Sequence, residues 1–436
     1  MTRGGPSVIS TTHDAGWVID PMRWPDVAVA RGSAPRTEIA RLLFGAAAAR
    51  LPIRVLLPDG GRLGAGPADG PLMTIHNPRA FFTRLGAGGL IGFGESYMAG
   101  DWDCADLTGL LAVFAAHVSD LVPTPLQRLR ALAVRRQPAA DEQTKAGARR
   151  NIGRHYDLSN EFFALFLDET MTYSSALFEP AGGAGAGPAA DGSSGAVAEA
   201  VLRQAQRRKI DRLLDQARVG PGSRLLEVGT GWGELAIRAA ERGAVVRTVT
   251  ISARQHELAA RRVAAAGLSD QVSVELRDYR DVSGQYDAIC SVEMIEAVGD
   301  RYWDTYFAQL DHLLAPGGRV ALQSITMPHD RMMASRRTYT WILKYIFPGG
   351  LIPSVDAIED SLGRTRLRVA ERHDFGPDYA RTLQVWRDRF DSRADEVLAL
   401  GFDEVFLRMW RFYLCYAEAG FLAGYLNVSQ LTLERP

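Results

Sequence analysis

Five short apolar runs between residues 224 and 325 alternate with helical patterns, and this alternation constrains the fold more than any other feature of the chain. Runs without a polar side are typical of strands that are buried on both faces of a sheet. Strands separated by helical crossovers predict a doubly wound α/β fold, with a mostly parallel sheet and helices on both faces. Two later stretches, 366–375 and 426–435, extend the predicted sheet to seven strands. The five runs are RLLEV, VVRTVTI, VSVEL, YDAICSV and GRVALQSI.

Composition divides the rest of the chain. Residues 1–35 mix glycine, proline, serine and threonine without periodicity, which is typical of a flexible arm. Short extended and helical patterns over 36–137 predict a smaller α+β amino-terminal domain, and the polar stretch 138–150 reads as a linker. Residues 151–436 form the predicted large domain. Within it, the Gly/Ala-rich segment 181–200 has too few bulky apolar residues to pack a core, so we expect a mobile loop there.

The bulk composition narrows the function classes. The 436-residue chain has 50 basic and 51 acidic residues and a formal net charge of −1, so the sequence predicts no nucleic-acid partner. Its three cysteines are far apart, which fits a reducing compartment and predicts neither disulfides nor a metal site. We find no run of about 18 uncharged apolar residues, the length that a membrane-spanning helix requires. The sequence therefore predicts a cytoplasmic protein.

The first of the five strands runs into a glycine-rich turn, EVGTGWG, in which Gly229, Gly231 and Gly233 follow Glu227. Glycine permits a tight turn and lets a ligand approach the backbone closely at the carboxyl end of a strand. The spacing is E-x-G-x-G-x-G, whereas dinucleotide-binding folds use G-x-G-x-x-G, and the chain contains no G-x-x-x-x-G-K-[ST] motif for a triphosphate. The turn predicts a nucleotide-like ligand of another kind.

The second strand ends without the acidic residue that binds the ribose in dinucleotide folds. Thr250, Ser252 and Gln255 stand there instead, and their hydroxyl and amide groups can hydrogen-bond a ribose. With an acid at Glu227, this arrangement suits a zwitterionic, amino-acid-bearing nucleoside such as S-adenosylmethionine. The structural alternative is that the glycines only turn the chain and that Glu227 caps a neighbouring group.

Many longer stretches resemble the cyclopropane-fatty-acid synthases and the related mycolic-acid methyltransferases. The similarity runs from about residue 150 to the end, and IGFGESYMAGDWDC resembles the amino-terminal domain of the phospholipid-acting branch. ITMPHDRM and TYTWILKYIFPGG are similar to the actinobacterial 10-methylstearate (tuberculostearate) branch. The resemblance implies a Rossmann-like class I methyltransferase domain, a smaller lipid-binding domain and S-adenosylmethionine as methyl donor. The stretches that carry it include NIGRHYDLSNEFFALFLDETMTYSSALFE, LLEVGTGWGELA, TISARQ, RDYRDV, SVEMIEAVGDRYWDTYF, YIFPGGLIPS and FYLCYAEAGFLAGYLNVSQLTL.

Carried over to the matching positions, the resemblance implies a set of cofactor contacts. Thr250, Ser252 and Gln255 would hold the ribose region, and Asp278 with Tyr279 the adenine. For Tyr156 and Tyr173, a place in an aromatic core is the alternative to a place in the site. The implied cofactor residues are Tyr156, Tyr173, Ser174, Glu227, Gly229, Gly231, Gly233, Thr250, Ser252, Gln255, Asp278 and Tyr279.

The resemblance also implies how the final proton is removed. The family resemblance implies that a bound bicarbonate ion acts as the base. Its ligands come from a Glu, a His, a Tyr and nearby backbone groups. Glu296 and Tyr413 match the Glu and the Tyr, whereas Gln323 stands where the family usually has the His. Ser175 replaces a Cys, although its backbone can still serve. Glutamine cannot ionise, so bicarbonate as a cofactor stays open.

The loss of the imidazole leads to a hypothesis about the product. Methylation of a cis double bond in an oleoyl-type phospholipid gives a carbocation. If no base closes a cyclopropane ring, a hydride shift and proton loss leave a methylene branch, which a flavin- or NADPH-dependent reductase partner would convert to a 10-methyl chain. Cyclopropane formation is the alternative. A non-catalytic lipid-binding protein and a methyltransferase for a small soluble acceptor also remain open.

A phospholipid substrate requires access to a membrane surface. Residues 331–353 mix basic and aromatic side chains, and residues 128–137 carry a basic run, so both are candidates for contact with anionic lipid. For the two segments, a pocket wall and a solvated helix face are the structural alternatives. We expect a protein that associates peripherally with the inner face of the membrane, with a homodimer as one option for its oligomeric state.

Overall fold

The computed structural model describes residues 7–10, 17–117, 138, 141–156, 158–179, 195–336 and 338–436. Its backbone contacts divide the chain into two compact units. The second unit comprises Arg136–Thr338, Phe347–Arg389 and Leu426–Pro436. The first unit comprises Met1–Arg135, Tyr339–Ile346 and Phe390–Tyr425.

The second unit is built on a seven-stranded sheet in the order β12-β13-β11-β10-β7-β8-β9. Strands β7 to β11 run parallel to one another, whereas β13 lies antiparallel between β11 and β12. The sequence order reverses between β7 and β10, and the carboxyl ends of strands at such a switch point form the usual ligand crevice. The strands are β7 (Arg224–Val228), β8 (Val245–Thr250), β9 (Val272–Leu276), β10 (Tyr286–Val292), β11 (Leu314–Thr326), β12 (Arg368–Asp374) and β13 (Asn427–Glu434).

Apolar cores cover both faces of this sheet, as the runs in the sequence predict. Leu225 packs into one buried cluster and its neighbour Leu226 into another, because successive side chains of a strand point to opposite faces. Helices pack on both clusters and confirm the doubly wound arrangement. The helices that begin in this unit are Lys145–Tyr156, Asn160–Ala164, Gly195–Gln216, Glu234–Glu241, Ala253–Ala265, Trp303–Leu313, His329–Ser335, Val355–Leu362 and Gly376–Ser392.

The first unit combines a four-stranded sheet, in the order β4-β3-β5-β6, with a two-stranded ribbon of β1 and β2. Its core includes the fully buried Phe81, Trp102 and Trp410. The strands are β1 (Ser7–Ser10), β2 (Val29–Gly32), β3 (Arg54–Leu56), β4 (Arg62–Leu63), β5 (Leu72–Ile75) and β6 (Trp102–Cys104). The helices are Pro25–Ala28, Ala34–Ala48, Pro78–Gly88, Leu90–Met98, Leu107–Ala116, Trp341–Tyr345, Ala394–Ala399 and Glu404–Leu422.

The amino-terminal segment is more ordered than its composition suggests. Residues 17–35, which the sequence analysis places in a flexible arm, contain a helical turn and β2, and Val27 and Ala30 are fully buried. The carbonyl of Val27 also accepts a hydrogen bond from the buried guanidinium of Arg84. Buried apolar side chains and a satisfied buried charge hold this segment in place, and a composition rich in glycine and proline does not reveal them.

Two other boundaries differ from the predicted ones. The predicted linker 138–150 includes the start of the helix Lys145–Tyr156, and the contacts place the segments Tyr339–Ile346 and Phe390–Tyr425 with the amino-terminal residues. Most of the predicted loop 181–200 lies outside the described residues, and its last part begins the helix Gly195–Gln216. Among the helices that the structure describes, none combines the length and apolarity needed to cross a membrane.

Candidate active site

The glycine turn lies at the carboxyl end of β7, at the switch point of the sheet. Gly229, Gly231 and Gly233 have φ angles of 97°, 51° and 93°, a region that side-chain-bearing residues rarely adopt. A Cβ built on Gly231 would have no atom within 4 Å, so open space adjoins the turn at this position. Gly233 precedes the helix Glu234–Glu241. The turn therefore offers a ligand close approach to the backbone and to a helix amino terminus.

Glu227, the acid before the turn, is 4% exposed. Its Oε2 atom is buried and has no hydrogen-bond partner within the described residues. Burial raises the pKa of the carboxyl group to about 8, against a smaller opposing hydrogen bond from Thr248. A buried polar oxygen without a partner is unfavourable unless a ligand or water supplies one. The glycine turn and this carboxyl group thus fit a zwitterionic nucleoside with an amino group.

The predicted ribose residues meet at the end of β8. The Thr250 hydroxyl donates to Oε1 of Gln255 at 2.9 Å, and the Ser252 hydroxyl accepts from the backbone N–H of Gln255 at 3.3 Å. Ser252 thereby caps the helix Ala253–Ala265. All three side chains are buried. These bonds hold a rigid polar wall beside the glycine turn, and a ribose contact from this wall stays a prediction.

The predicted adenine residues follow β9. Asp278 is buried and forms an ion pair with Arg280 at 2.7 Å. Burial alone would raise the pKa of Asp278, but the hydrogen bonds and charge of Arg280 outweigh it and lower the pKa. Tyr279 is half-buried, with its ring 5.4 Å from that of Tyr306. An ionised acceptor and an aromatic face thus stand at the third parallel strand.

Tyr173 belongs to an aromatic cluster and keeps part of its surface accessible. Its ring centroid lies 5.2 Å from Phe163 and 5.4 Å from Trp386. The ring contacts agree with a place in an aromatic core, and the accessible surface agrees with a place in the cofactor site. The neighbouring Ser174 is buried and accepts a hydrogen bond from the buried ammonium group of Lys209 at 2.6 Å. Tyr156 ends the helix Lys145–Tyr156, and its side chain lies outside the described part of the chain.

Glu296, the predicted acid of the base-binding site, sits in a short 3-10 turn after β10. Its Oε1 atom accepts from the Ser324 hydroxyl at 2.9 Å and from the backbone N–H of Ile325 at 2.5 Å. Its Oε2 atom is buried without a partner among the described residues. Burial, followed by the nearby charge of Glu293, raises the pKa of Glu296 to about 8. The buried environment of this carboxyl group therefore favours its protonated form.

Gln323 lies on β11 and is fully buried, and its amide is bound on both sides. Its Nε2 group donates to Oε1 of Glu293 at 2.9 Å, and its Oε1 accepts from Gln430 at 3.0 Å. Gln430 faces Gln323 across the antiparallel pair of β11 and β13. Ser175, also fully buried, donates its backbone N–H to Oε1 of Glu293 at 2.9 Å. The structure thus brings Gln323 and Ser175 together on one carboxylate.

That carboxylate, Glu293, is absent from the residues that the sequence analysis singles out. It lies three positions before Glu296 in VEMIE. The presence of another acid in this short motif was the available signal. Tyr413, in contrast, belongs to the first unit, where it is buried in the helix Glu404–Leu422 with its ring 5.1 Å from Trp410. Its role at the base remains a prediction.

The doubly wound seven-stranded sheet, with a glycine turn at its switch point, has the Rossmann-like methyltransferase fold. Residues 143–431 match the family model described as mycolic acid cyclopropane synthetase. The chain is 53% identical over 431 residues to tuberculostearic acid methyltransferase UfaA1 of Mycobacterium tuberculosis, covering 98% of this chain and 99% of that protein. It is 34% identical to cyclopropane-fatty-acyl-phospholipid synthase of Escherichia coli, covering 85% and 89%.

The solved structure of mycolic acid cyclopropane synthase CmaA1 complexed with SAH and CTAB superposes with a TM-score of 0.57. It shares 29% identity and covers 69% of this chain and 99% of its own. The chain belongs to the cyclopropane synthase family and is an S-adenosylmethionine-dependent methyltransferase. The resemblance that the sequence analysis draws is therefore confirmed, as are its fold class and its methyl donor.

Replacing Glu227 with glutamine should weaken S-adenosylmethionine binding by tenfold or more, because a hydrogen bond to a charged group contributes about 1.5–3 kcal/mol. The same change should flatten the pH dependence of stability. Folding raises the pKa of this carboxyl group from its ordinary value of 4.5 to about 8. Its contribution to stability is therefore fully present below pH 4.5 and is lost as the pH rises through 8. Calorimetric titration and melting curves at pH 5 and pH 8 would measure both effects.

Glu257→Gln is the matched control for this change. Glu257 is an exposed residue of the helix Ala253–Ala265 that pairs with Arg261 at 2.8 Å, and an exposed pair of this kind contributes little. The control should keep the affinity and the pH slope of the unchanged protein. Equal affinity in the Glu227→Gln variant would show that this carboxyl group does not contact the methyl donor.

Proposed function

We propose that the protein transfers a methyl group from S-adenosylmethionine to the cis double bond of an oleoyl-type phospholipid chain and releases a methylene-branched chain. A reductase partner that uses flavin or NADPH would then give the 10-methyl product. The observation that carries the proposal is the bound amide of Gln323, which stands where a cyclopropane-forming relative is expected to have histidine. The similarity to tuberculostearic acid methyltransferase UfaA1 supports the same product class.

The second unit supplies what the reaction needs around a carbocation. S-adenosylmethionine provides an electrophilic methyl group, and the proposed residues for holding it are the turn at Gly229–Gly233, Glu227, and the walls at Thr250 and Asp278. An alkene is a weak nucleophile, and the cation that it forms reacts with water, so the site must be dry. Phe162, Phe163 and Phe166 are fully buried and form an aromatic cluster that favours such a site.

Gln323 argues for the branched product through proton chemistry. An imidazole can take up and release a proton near neutral pH, whereas an amide cannot ionise and offers only hydrogen bonds. Both ends of this amide are already hydrogen-bonded to protein groups. Ring closure requires prompt removal of a proton from the new methyl group. Without an imidazole at residue 323, a hydride shift along the acyl chain can precede proton loss.

A cyclopropane product is the second candidate, and Glu296 is the observation that favours it. The carboxyl group matches the bicarbonate-binding Glu of the resemblance, and its Oε2 atom lacks a partner among the described residues. The 34% identity to the cyclopropane-fatty-acyl-phospholipid synthase of Escherichia coli also supports ring formation. The two candidates share the substrate and the methyl donor, and they differ only in the fate of the cation.

Peripheral membrane association follows from the proposed substrate. The helix Trp341–Tyr345 is a weak candidate for the lipid contact, since Trp341 is buried and Lys344 pairs with Asp26 at 2.6 Å and with Glu95 at 2.5 Å inside the first unit. The basic run 128–137 lies outside the described residues. Binding to the inner face of the membrane stays a proposal that vesicle co-sedimentation would test. A homodimer stays a proposal that light scattering would test. The cytoplasmic location also stays a proposal.

The direct test incubates the purified protein with S-adenosylmethionine and dioleoyl phospholipid vesicles. We expect the NMR spectrum of the extracted lipid to show the vinylidene protons of an exocyclic methylene group. High-field cyclopropane protons as the main signal would contradict the proposed product. Mass spectrometry is insufficient because the two products are isomers. Vesicles of the saturated distearoyl lipid are the matched control and should yield neither signal.

The same assay tests the remaining alternative, a methyltransferase for a small soluble acceptor. If the protein acts on a small soluble acceptor, adding that acceptor would reduce methyl transfer to the phospholipid vesicles. We expect measurable binding of the methyl donor, methyl incorporation into lipid, and no competition from soluble acceptors.

A further inference from the structure

The carboxylate of Glu293 is held by donors from three distant parts of the chain. Ser175 donates its backbone N–H and Gln323 its amide to Oε1, each at 2.9 Å, and the Tyr379 hydroxyl donates to Oε2 at 2.6 Å. A carboxylate offers about four lone-pair positions, so these three donors leave one for another group. Glu293 also keeps part of its surface accessible, whereas Ser175 and Gln323 are fully buried. The carboxylate is therefore fixed in place by donors from three segments of the chain.

The backbone of Glu293 is strained. Its φ angle is 49°. Among the residues that the structure describes, Glu293 is one of three non-glycine residues with a positive φ. A residue with a Cβ in this region costs roughly 1–3 kcal/mol, and such strain persists where the surroundings hold it for a purpose. Glu293 directly follows β10, beside the strand that carries the glycine turn. The strained residue therefore stands at the switch point of the sheet, on the edge where the methyl donor is proposed to bind.

Two titratable neighbours, Lys209 and Glu296, act electrostatically together with Glu293. Burial raises the pKa of Glu293 above its ordinary value, and the charge of Lys209 and the hydrogen bonds from Tyr379, Ser175 and Gln323 oppose that rise. Lys209 is fully buried, and burial lowers the pKa of its ammonium group to about 8. Burial and the charge of Glu293 raise the pKa of Glu296 to about 8. A raised pKa strengthens the tendency of the Glu293 carboxylate to accept a proton, and the surrounding donors fix where its oxygens lie.

We propose that Glu293 is the proton acceptor of this reaction and replaces the bicarbonate that the family resemblance implies. The inference rests on the proposed function. Two of the groups that the resemblance offers to bicarbonate, the backbone of residue 175 and the side chain of residue 323, are both bonded to Oε1 of Glu293. A second anion would have to displace this carboxylate and would be repelled by its charge. The chain thus carries its own base directly after β10, at the switch point of the sheet.

The proton transfer balances without any further reactant. After the methyl group has joined the chain and a hydride has moved to the adjacent carbon, the positive charge lies on the methyl-bearing carbon. A C–H bond of the new methyl group breaks, and its electron pair forms the carbon–carbon double bond of the methylene group. The proton joins an oxygen of Glu293, which becomes a neutral carboxylic acid. Gln323, Ser175 and Tyr379 act as positioning groups that aim this oxygen.

Two substitutions at this position test the inference. Glu293→Gln keeps a side chain of the same shape but removes the proton acceptor, and we expect kcat to fall by about 10²–10⁴-fold with or without added bicarbonate. Glu293→Gly removes the side chain and relieves the strain of the φ of 49°, but it leaves the donors of Ser175, Gln323 and Tyr379 without this acceptor, so a melting curve must show that the variant is folded. It should be inactive in bicarbonate-free buffer and regain part of its activity when millimolar bicarbonate is added.

Binding measurements provide a readout that does not depend on turnover. The ¹³C NMR signal of labelled bicarbonate should broaden in the presence of the Glu293→Gly variant and not in the presence of the unchanged protein. The affinities of both variants for S-adenosylmethionine should lie within about threefold of that of the unchanged protein. Bicarbonate dependence of the unchanged protein, or Glu293→Gln activity within about threefold of it, would overturn the inference. If the unchanged protein makes no product from unsaturated phospholipid, the proposed function fails instead, and the bicarbonate titration still tests Glu293.

Discussion

Replacing Gly231 with valine is expected to lower the affinity for S-adenosylmethionine by at least 100-fold. Gly231 has a φ of 51°, and a left-handed conformation costs about 1–2 kcal/mol for a residue with a Cβ. The new side chain would also project into the open space beside the turn, where no protein atom lies within 4 Å. The backbone strain and the filled space act together on the ligand. Isothermal titration with the methyl donor and with its demethylated product would measure the loss.

Gly267→Val is the matched control for this substitution. Gly267 also has a positive φ, 71°, and no atom within 4 Å of its Cβ position, but it follows the helix Ala253–Ala265 at the end opposite the Ser252 cap. Both variants should lose a similar amount of thermal stability, and only Gly231→Val should lose the ligand. Equal affinities in the two variants would contradict the assignment of the turn to the methyl donor.

Replacing Arg84 with methionine is expected to lower the free energy of unfolding of the first unit by about 3–5 kcal/mol. Arg84 and Asp101 form a buried ion pair at 2.5 Å, and both side chains are almost fully inaccessible. Removing the guanidinium leaves the Asp101 carboxylate buried without its charge partner, and the carbonyl of Val27 also loses a donor. Urea unfolding, followed by the fluorescence of the buried Trp102, would measure the effect.

The double variant Arg84→Met with Asp101→Leu separates the cost of an unpaired charge from the value of the pair. Apolar residues of similar volume often replace a buried ion pair with little loss, because they need no desolvation. We therefore expect the double variant to recover at least half of the lost stability. A single variant within about 1 kcal/mol of the unchanged protein would show that water reaches Asp101 when Arg84 is absent.

The sheet was predictable because its strands are short runs of apolar residues that alternate with helices. All seven predicted strands are present. Central strands such as β7 and β10 carry apolar runs because they are buried, whereas the edge strand β12 is largely exposed. The insertion of β13 between β11 and β12 was not predictable, because strand order depends on pairing between segments far apart in sequence. The same reason explains the placement of Phe390–Tyr425 with the amino-terminal residues.

The site shows the same division between local and distant information. The glycine turn is a local motif, and its positive φ angles follow directly from the spacing of its glycines. Glu293 was missed because its environment is assembled from Ser175, Gln323 and Tyr379, which no local pattern connects. Gln323 was recognised as a departure from the family, but only the structure shows that its amide holds a carboxylate. Gln323, which stands at the position of the family's histidine, and Glu293 therefore form one hydrogen-bonded arrangement.

The most direct test of this account follows the hydrogen atoms of the alkene. Phospholipid whose oleoyl chain carries deuterium on both double-bond carbons is incubated with the protein and S-adenosylmethionine, and the product is examined by ²H and ¹³C NMR. The account predicts that one deuterium migrates, which leaves a CD₂ group beside a deuterium-free carbon that bears the methylene group. A product in which each of the two carbons keeps its own deuterium within a three-membered ring would contradict it.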